Sequence, residues 1–158
     1  MINFIKLTMI IFALVLSKPI FAKNTYYNCF NNAGEKYNIN IDILMAVAYT
    51  ESSFDPHAIN CSNRDESCDY GLMQINSWWL NELKQYDLDI DDLLKPCLNI
   101  HIGAWILASN FQSFGYSWDT IGKYNVGNKS SKAAIDAKMK YIKKVKENYV
   151  YFINKEDV

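Results

Sequence analysis

Glu51 closes the stretch "MAVAYTESSFDP", Met45 to Pro56, where an apolar helical run stops on a carboxylate. Leu44, Val47, Ala48 and Glu51 recur at i, i+3, i+4 and i+7, so the acid lies on the same helix face as the apolar residues. A carboxyl group packed on such a face loses hydration, and its pKa rises. At the C-terminal end of a helix it also meets the negative end of the macrodipole, which pushes the same way. Both effects favour the protonated form near neutral pH. A proton donor of this kind is what a glycosidic oxygen needs as its bond breaks. A lone Glu at a helix end is otherwise an ordinary surface residue paired with a lysine, so the rest of the chain has to support the chemistry.

Other chemistry is thinly represented. The two histidines, His57 and His101, lack helical ligand spacing, and no C-x-x-C pair occurs, so neither metal nor cofactor is expected. Four cysteines, Cys29, Cys61, Cys68 and Cys97, allow three pairings if all are bonded. Cys61 and Cys68 bracket the polar "CSNRDESC", which reads as a loop closed at its base and leaves Cys29 with Cys97.

The elements that must position Glu51 are mostly helical. "YNCFNNAGEKY" carries Cys29, Phe30, Ala33 and Tyr37 at helical spacing, and Asn40 is placed to cap the helix that ends near Glu51. A loop follows from Phe54 to Asp69, and "YGLMQIN" reads equally as a strand, a hairpin or a helical turn. "WWLNELKQY" looks helical, and "DLDIDDLLKPC" is a loop entering a short helix. In "NIHIGAWILASNFQSFG", Ile100, Gly103, Ala104, Leu107 and Phe111 share one face, and "WDTIGKYNVGN" ends on a Gly-Asn turn. The last helix, about Ser131 to Phe152, is expected to bury Ile135, Met139, Ile142, Val145 and Tyr149, with Lys138, Lys140, Lys143, Lys144 and Lys146 mostly outward. The expected fold is mainly α, an α+β helical bundle around a groove with a short β-hairpin-like region.

The 158 residues are one domain's length, half of them hydrophobic, and the formal net charge of −1 gives no basic face for nucleic acid. Residues 1–22 have a basic start, an apolar run from Leu7 to Leu16 and a small residue at Ala22, the order of a secretory signal peptide. About ten apolar residues fall short of the roughly 20 a spanning helix needs. No later stretch is apolar enough to span a bilayer. The expectation is an exported, soluble, monomeric domain over residues 23–158, in the oxidising periplasm where disulfides persist.

Four motifs then converge. Glu51-Ser52 with Phe54, "GLMQIN" at Gly71–Asn76, "NIHIGAWIL" at Asn99–Leu107 and "YNVG" at Tyr124–Gly127 resemble, in order, the motifs of the soluble lytic transglycosylases. The signal peptide, the bare domain, Cys29-Phe30 and Pro96-Cys97 are closest to the small members that accompany type III secretion and conjugative type IV systems. The resemblance implies a lysozyme-like fold and cleavage of the β-1,4 bond between N-acetylmuramic acid and N-acetylglucosamine in peptidoglycan. It implies that Glu51 is the acid and then the base that closes a 1,6-anhydro ring. It also supports the Cys29–Cys97 bond.

Carried over residue by residue, Gln74 resembles the family's sugar-contacting glutamine and Tyr124 the tyrosine whose hydroxyl approaches the acid. Asn125 is its substrate- or loop-holding neighbour, Gly71 permits a tight backbone next to sugar, and Ser52 helps orient the site. Asn60 stands where many members have serine and is expected to keep an acetamido contact. Lys123 replaces a common alanine and is expected to face peptide carboxylates or solvent. Asn99 and Gly103 are expected to be structural, and Trp78, Trp79 and Trp105 divide between sugar stacking and core. No second acid lies inside the motifs, although Asp55, Asp65, Glu66 and Asp69 are near. The alternatives are a goose-type hydrolysing lysozyme and a non-catalytic glycan-binding assembly factor. With no wall-anchoring module, a component of the secretion or conjugation apparatus is the expected partner beside peptidoglycan.

Overall fold

A computed structural model describes residues 20–63 and 65–154, with side chains from Thr25. The signal peptide expected over residues 1–22 lies outside the described residues up to residue 19. The element order is α1 (Ile20–Tyr37), α2 (Ile41–Ser52), β1 (Ile59–Asn60), β2 (Asp69–Tyr70), β3 (Ile75–Asn76), α3 (Leu80–Leu83), α4 (Ile90–Leu93), α5 (Pro96–Phe114), α6 (Trp118–Val126) and α7 (Lys132–Ile153). Single 3-10 turns at Ser77–Trp79 and Lys84–Tyr86 flank α3.

Helix α2 is the central rod. Asn40 caps it, its side-chain oxygen accepting from the Asp42 and Ile43 amides at 2.7 and 3.3 Å. Every residue from Asp42 to Ala48 is buried, because α1, α5 and α7 pack around it. Continuous burial of this kind explains a helix that is apolar nearly all round.

What stops α2 is the pair Ser53 and Phe54, at φ +56° and +67°. The Ser53 amide closes the last turn on the Tyr49 carbonyl at 3.0 Å. A bulky residue rarely adopts positive φ. Phe54 is held there because its ring is buried against Phe30, Tyr49 and Phe152, with centroids 5.3 to 5.8 Å apart.

The β-region is small. β1, β2 and β3 form an antiparallel sheet in that order, pairing Asn60 with Asp69 and Asp69 with Asn76. The "YGLMQIN" segment is therefore a hairpin, with its turn at residues 71–74, and the preceding loop contributes the short strand β1. Buried Asn99 of α5 ties this region to the helices. Its amide donates to the Tyr70 and Leu93 carbonyls at 2.8 and 2.7 Å, and its oxygen accepts from the Met73 amide at 2.7 Å. Cys29 is bonded to Cys97, joining α1 to the start of α5, and Cys61 to Cys68, closing the loop between β1 and β2.

The last helix departs from expectation. Ile135 and Met139 are 47% and 58% exposed rather than core, and the Lys138 side chain is only 19% exposed, paired with Asp119. The buried line runs through Tyr141, Ile142, Val145 and Phe152. At about 100° per residue, Ile135 and Met139 fall on the flank of that line. Lys138 lies nearer to it, alongside Gly122 of α6.

Candidate active site

A groove of about 860 Å³ runs between the β-region and the helices, and Glu51 sits in its floor. One wall is the β1–β2 loop with β3, contributing Asn60, Asn63, Asp69, Gln74 and Asn76; the other is the end of α6 and the turn after it, contributing Tyr124, Asn125, Gly127 and Lys129. Trp78, Trp79 and Ile106 complete the lining.

Glu51 is half-buried at the end of α2. Burial is the main cause of a pKa raised from 4.5 to about 7; the Tyr141 hydrogen bond opposes the rise and the charge of Asp69 adds to it. The Tyr141 hydroxyl donates to Glu51 Oε1 at 2.6 Å. Burial, then the charge of Glu51, holds both Tyr141 and Tyr124 well above the ordinary tyrosine range, so each remains a hydroxyl donor. The group therefore titrates in the neutral range while one carboxyl oxygen is fixed in direction. Proton donation followed by proton acceptance is within its reach.

The other expected site residues divide. Asn60, Gln74, Tyr124 and Asn125 line the groove with Glu51, whereas Ser52 and Gly71 do not. Ser52 Oγ donates to the Leu72 carbonyl at 2.8 Å, tying the end of α2 to the hairpin. Gly71, at φ +73°, is packed so that a Cβ would come within 2.6 Å of the Leu93 carbonyl oxygen and 2.5 Å of Asn99. Its smallness serves the approach of hairpin to α5.

Tyr124 is coupled electrostatically to Glu51, but its hydroxyl donates to the Met73 carbonyl at 2.9 Å; the tyrosine bonded to the acid is Tyr141. Gln74, at φ +48°, has its side-chain nitrogen engaged inside the turn, donating to the Gly71 and Ala58 carbonyls at 2.9 and 3.2 Å. Lys123 is not part of the groove lining and sits at the partly exposed surface. Its ammonium lies 4.4 Å from the Phe114 ring centroid and donates to Asn128 at 3.3 Å. Gly103 backs onto Met73, and Asn99 is the tie already described, so both are structural. Trp79 packs edge-on between Trp78 and Trp105, leaving Trp78 63% exposed at the groove.

Tyr141, which sequence reasoning missed, and Asp69, named there only as a nearby acid, both lie outside the motifs. Tyr141 interrupts the apolar stripe of α7 with a hydroxyl, the same kind of signal that singles out Glu51. Asp69 sits in the groove wall, its two oxygens accepting from the amides of Asn76 and Asn63 at 2.8 and 2.9 Å. Among the described residues, no group of three or more His, Cys, Asp or Glu is placed to hold a metal ion.

Residues 28–147 match the family model of the transglycosylase SLT domain. The chain belongs to the SLT transglycosylase family. The enzyme class that goes with it is the peptidoglycan lytic transglycosylase. This transglycosylase is 40% identical over 123 residues to invasion protein IagB of Salmonella typhimurium, covering 77% of this chain and 75% of that one. It is 34% identical over 124 residues to protein IpgF of Shigella flexneri, covering 78% and 80%. A peptidoglycan-binding-like protein of Escherichia coli O157:H7 is 36% identical over 154 residues, covering 92% and 87%. Lytic transglycosylase Slt of Pseudomonas aeruginosa, solved as the inactive mutant E503Q, shares the fold at a TM-score of 0.66 and 16% identity. That match covers 84% of this transglycosylase and 24% of the Slt chain. Among the described residues no helix is long and apolar enough to cross a membrane.

Proposed function

We propose that this transglycosylase is exported to the periplasm, cleaves the β-1,4 bond between N-acetylmuramic acid and N-acetylglucosamine, and leaves a 1,6-anhydro end. The observation that carries the reading is Glu51, a carboxyl group with a pKa of about 7 in the floor of a long polar groove. The protonated acid gives its proton to the glycosidic oxygen as the C1–O4 bond breaks. The resulting carboxylate then takes the proton from the muramoyl C6 hydroxyl, whose oxygen bonds to C1. One residue thus serves as acid and base in turn, and no water is consumed.

A role in opening the wall locally for a secretion or conjugation apparatus draws on two facts. The motifs and cysteines resemble the small transglycosylases of such systems, and one relative is named an invasion protein. The relative named peptidoglycan-binding-like supports peptidoglycan as the polymer.

A second reading, hydrolysis, draws on Asp69, because two carboxylates facing a scissile bond are the usual equipment of glycosidases. Mass spectrometry of digested sacculi separates the two. Anhydro-muramoyl ends are expected; reducing ends in their place would replace the transglycosylase reading with hydrolysis. Unchanged lysis by Glu51→Gln would remove Glu51 from the chemistry altogether.

A further inference from the structure

On the helical wall of the groove, the chain leaves α6 through a turn that suits glycine alone. Gly127 stands at φ +62° and ψ −140°, a conformation that residues with a Cβ avoid. Space is not the reason for glycine, since a Cβ built there would meet nothing within 4 Å. The Gly127 amide closes the end of α6 on the Lys123 carbonyl at 2.7 Å, and the Lys123 ammonium donates to Asn128 Oδ1 at 3.3 Å. Lys123, whose place in the sequence suggests a contact with peptide carboxylates, is thus engaged in bracing the turn. The residue that the turn brings into the groove lining is Lys129.

Among the described residues of the lining Lys129 is the only basic one, and the opposite wall carries Asp65 and Asp69. No ion pair or hydrogen bond engages its ammonium among the described residues. Asp65 is held instead by Ser67, whose hydroxyl and amide donate to its Oδ1 at 2.7 and 3.2 Å. Those bonds first, and the charge of Lys129 last, keep the Asp65 carboxyl below its ordinary range. The ammonium is therefore near enough to be felt across the groove without closing on the acid.

We propose that Lys129 is a recognition site for the carboxylates of the peptide stems carried by the wall polymer. The inference rests on the transglycosylase reading of Glu51 and names a second part of its substrate. The glycan strand itself is uncharged; its charge lies on short peptides attached to the lactyl group of each muramoyl sugar. A strand lying in the groove carries those stems past the exposed edges, and Lys129 is exposed. An ammonium without a partner offers three donors to a carboxylate. Asp65 and Asp69 repel the same group from the other wall, so an anionic stem is directed to the α6 side.

The test measures binding by Glu51→Gln, so that the strands are not cut. Dissociation constants are taken for soluble, uncross-linked glycan strands with their stems, and for the same strands after an amidase has removed the stems. Glu51→Gln is expected to bind the stem-bearing strands about fivefold more tightly, the size of one exposed charge pair. Adding Lys129→Ala should erase that preference while leaving the melting temperature and the binding of stripped strands unchanged. Lys129→Arg should keep the preference and Lys129→Glu should reverse it. Salt at about 0.5 M should shrink it, as screening requires of an exposed pair.

A preference for stems that survives Lys129→Ala undiminished would overturn the proposal. So would an equal loss on both kinds of strand, which would make Lys129 a contact for sugar, or the lack of any preference in Glu51→Gln. Failure of the underlying reading looks different. With Glu51 intact, the protein would still favour stem-bearing strands yet release no muropeptide from sacculi, and Lys129 would stand as a binding residue of a non-catalytic groove.

Discussion

The floor of the groove and its polar wall are made by opposite physical means. On the helical side, Glu51 is delivered by a buried rod, α2, clamped by α1, α5 and α7 and ended by a strained turn whose Phe54 is sunk in an aromatic cluster. On the other side, Asp69 is delivered by two-residue strands and a polar loop held by amides, hydroxyls and one short disulfide. The first region raises a pKa by burial; the second holds its carboxyl group by hydrogen bonds at a partly exposed surface. Two carboxyl groups that line one groove thus stand in unlike surroundings.

The sharpest way to break this contrast is at Glu51. Glu51→Gln should abolish muropeptide release, by about a thousandfold or more, as expected for removing an acid used in both halves of the reaction. The same substitution should stabilise the fold. With a folded pKa near 7 against an ordinary 4.5, the native state binds the proton more tightly than the unfolded chain. Wild-type stability therefore falls as pH rises from about 4.5 to 7. The penalty is about 3 kcal/mol above that window and absent below it. Denaturation of Glu51→Gln and wild type at pH 4 and pH 8 should show a gain only at pH 8.

The disulfides give the next largest effect, and they should separate by region. Opening Cys29–Cys97, whose cysteines are 68 residues apart, should cost about 4 kcal/mol of global stability, and Cys61–Cys68, at a separation of 7, about 2 kcal/mol. Chemical denaturation of Cys29→Ser/Cys97→Ser and Cys61→Ser/Cys68→Ser measures both. Equal losses would mean that the polar wall is as integral to the global fold as the helices.

Tyr141→Phe is subtler. It removes a hydrogen bond to a charged acceptor, worth about 2 kcal/mol, and with it the influence that lowers the Glu51 pKa. Activity should drop about tenfold or more, and its alkaline limb should move to higher pH, opposite to the shift expected from Asp69→Asn. A pH–rate profile decides the sign. Smallest of all, Trp78→Ala should weaken glycan binding by about 1 kcal/mol, as for one lost aromatic face. Because Trp78 is 63% exposed, its melting temperature should not change, and titration with a chito-oligosaccharide reads the difference.

These contrasts also explain what the sequence made legible. Local signals were reliable: the Asn40 cap, the stripe through Glu51 and the Cys61–Cys68 pair, because each is set by neighbours in the chain; Cys29–Cys97 followed once that pair was taken. The motifs marked Asn60, Gln74, Tyr124 and Asn125, which do meet in the groove. Long-range geometry was not legible. Tyr141 meets Glu51 across 90 residues, and the choice between Tyr124 and Tyr141 as the acid's partner depends on how α6 and α7 dock. The rotation of α7 was misjudged because Ile135 and Met139 suit a core yet sit off its packing line. In the polar wall no periodicity distinguishes an inward asparagine from an outward one, so Asn63 carried no signal.

The contact between Tyr141 and Glu51 also has a consequence in time. The corner around Glu51 joins the second helix of the chain to its last described one: Asn148 reaches back to Thr50 at 2.9 Å, and Phe152 closes over Phe54. Such contacts are among the latest a growing chain can make, since they require closing loops of about a hundred residues. A nascent chain displaying Glu51 but lacking α7 has neither the partner that orients the carboxyl group nor the ring that pins the turn beside it. The corner that carries Glu51 is thus complete only once α7 is in place.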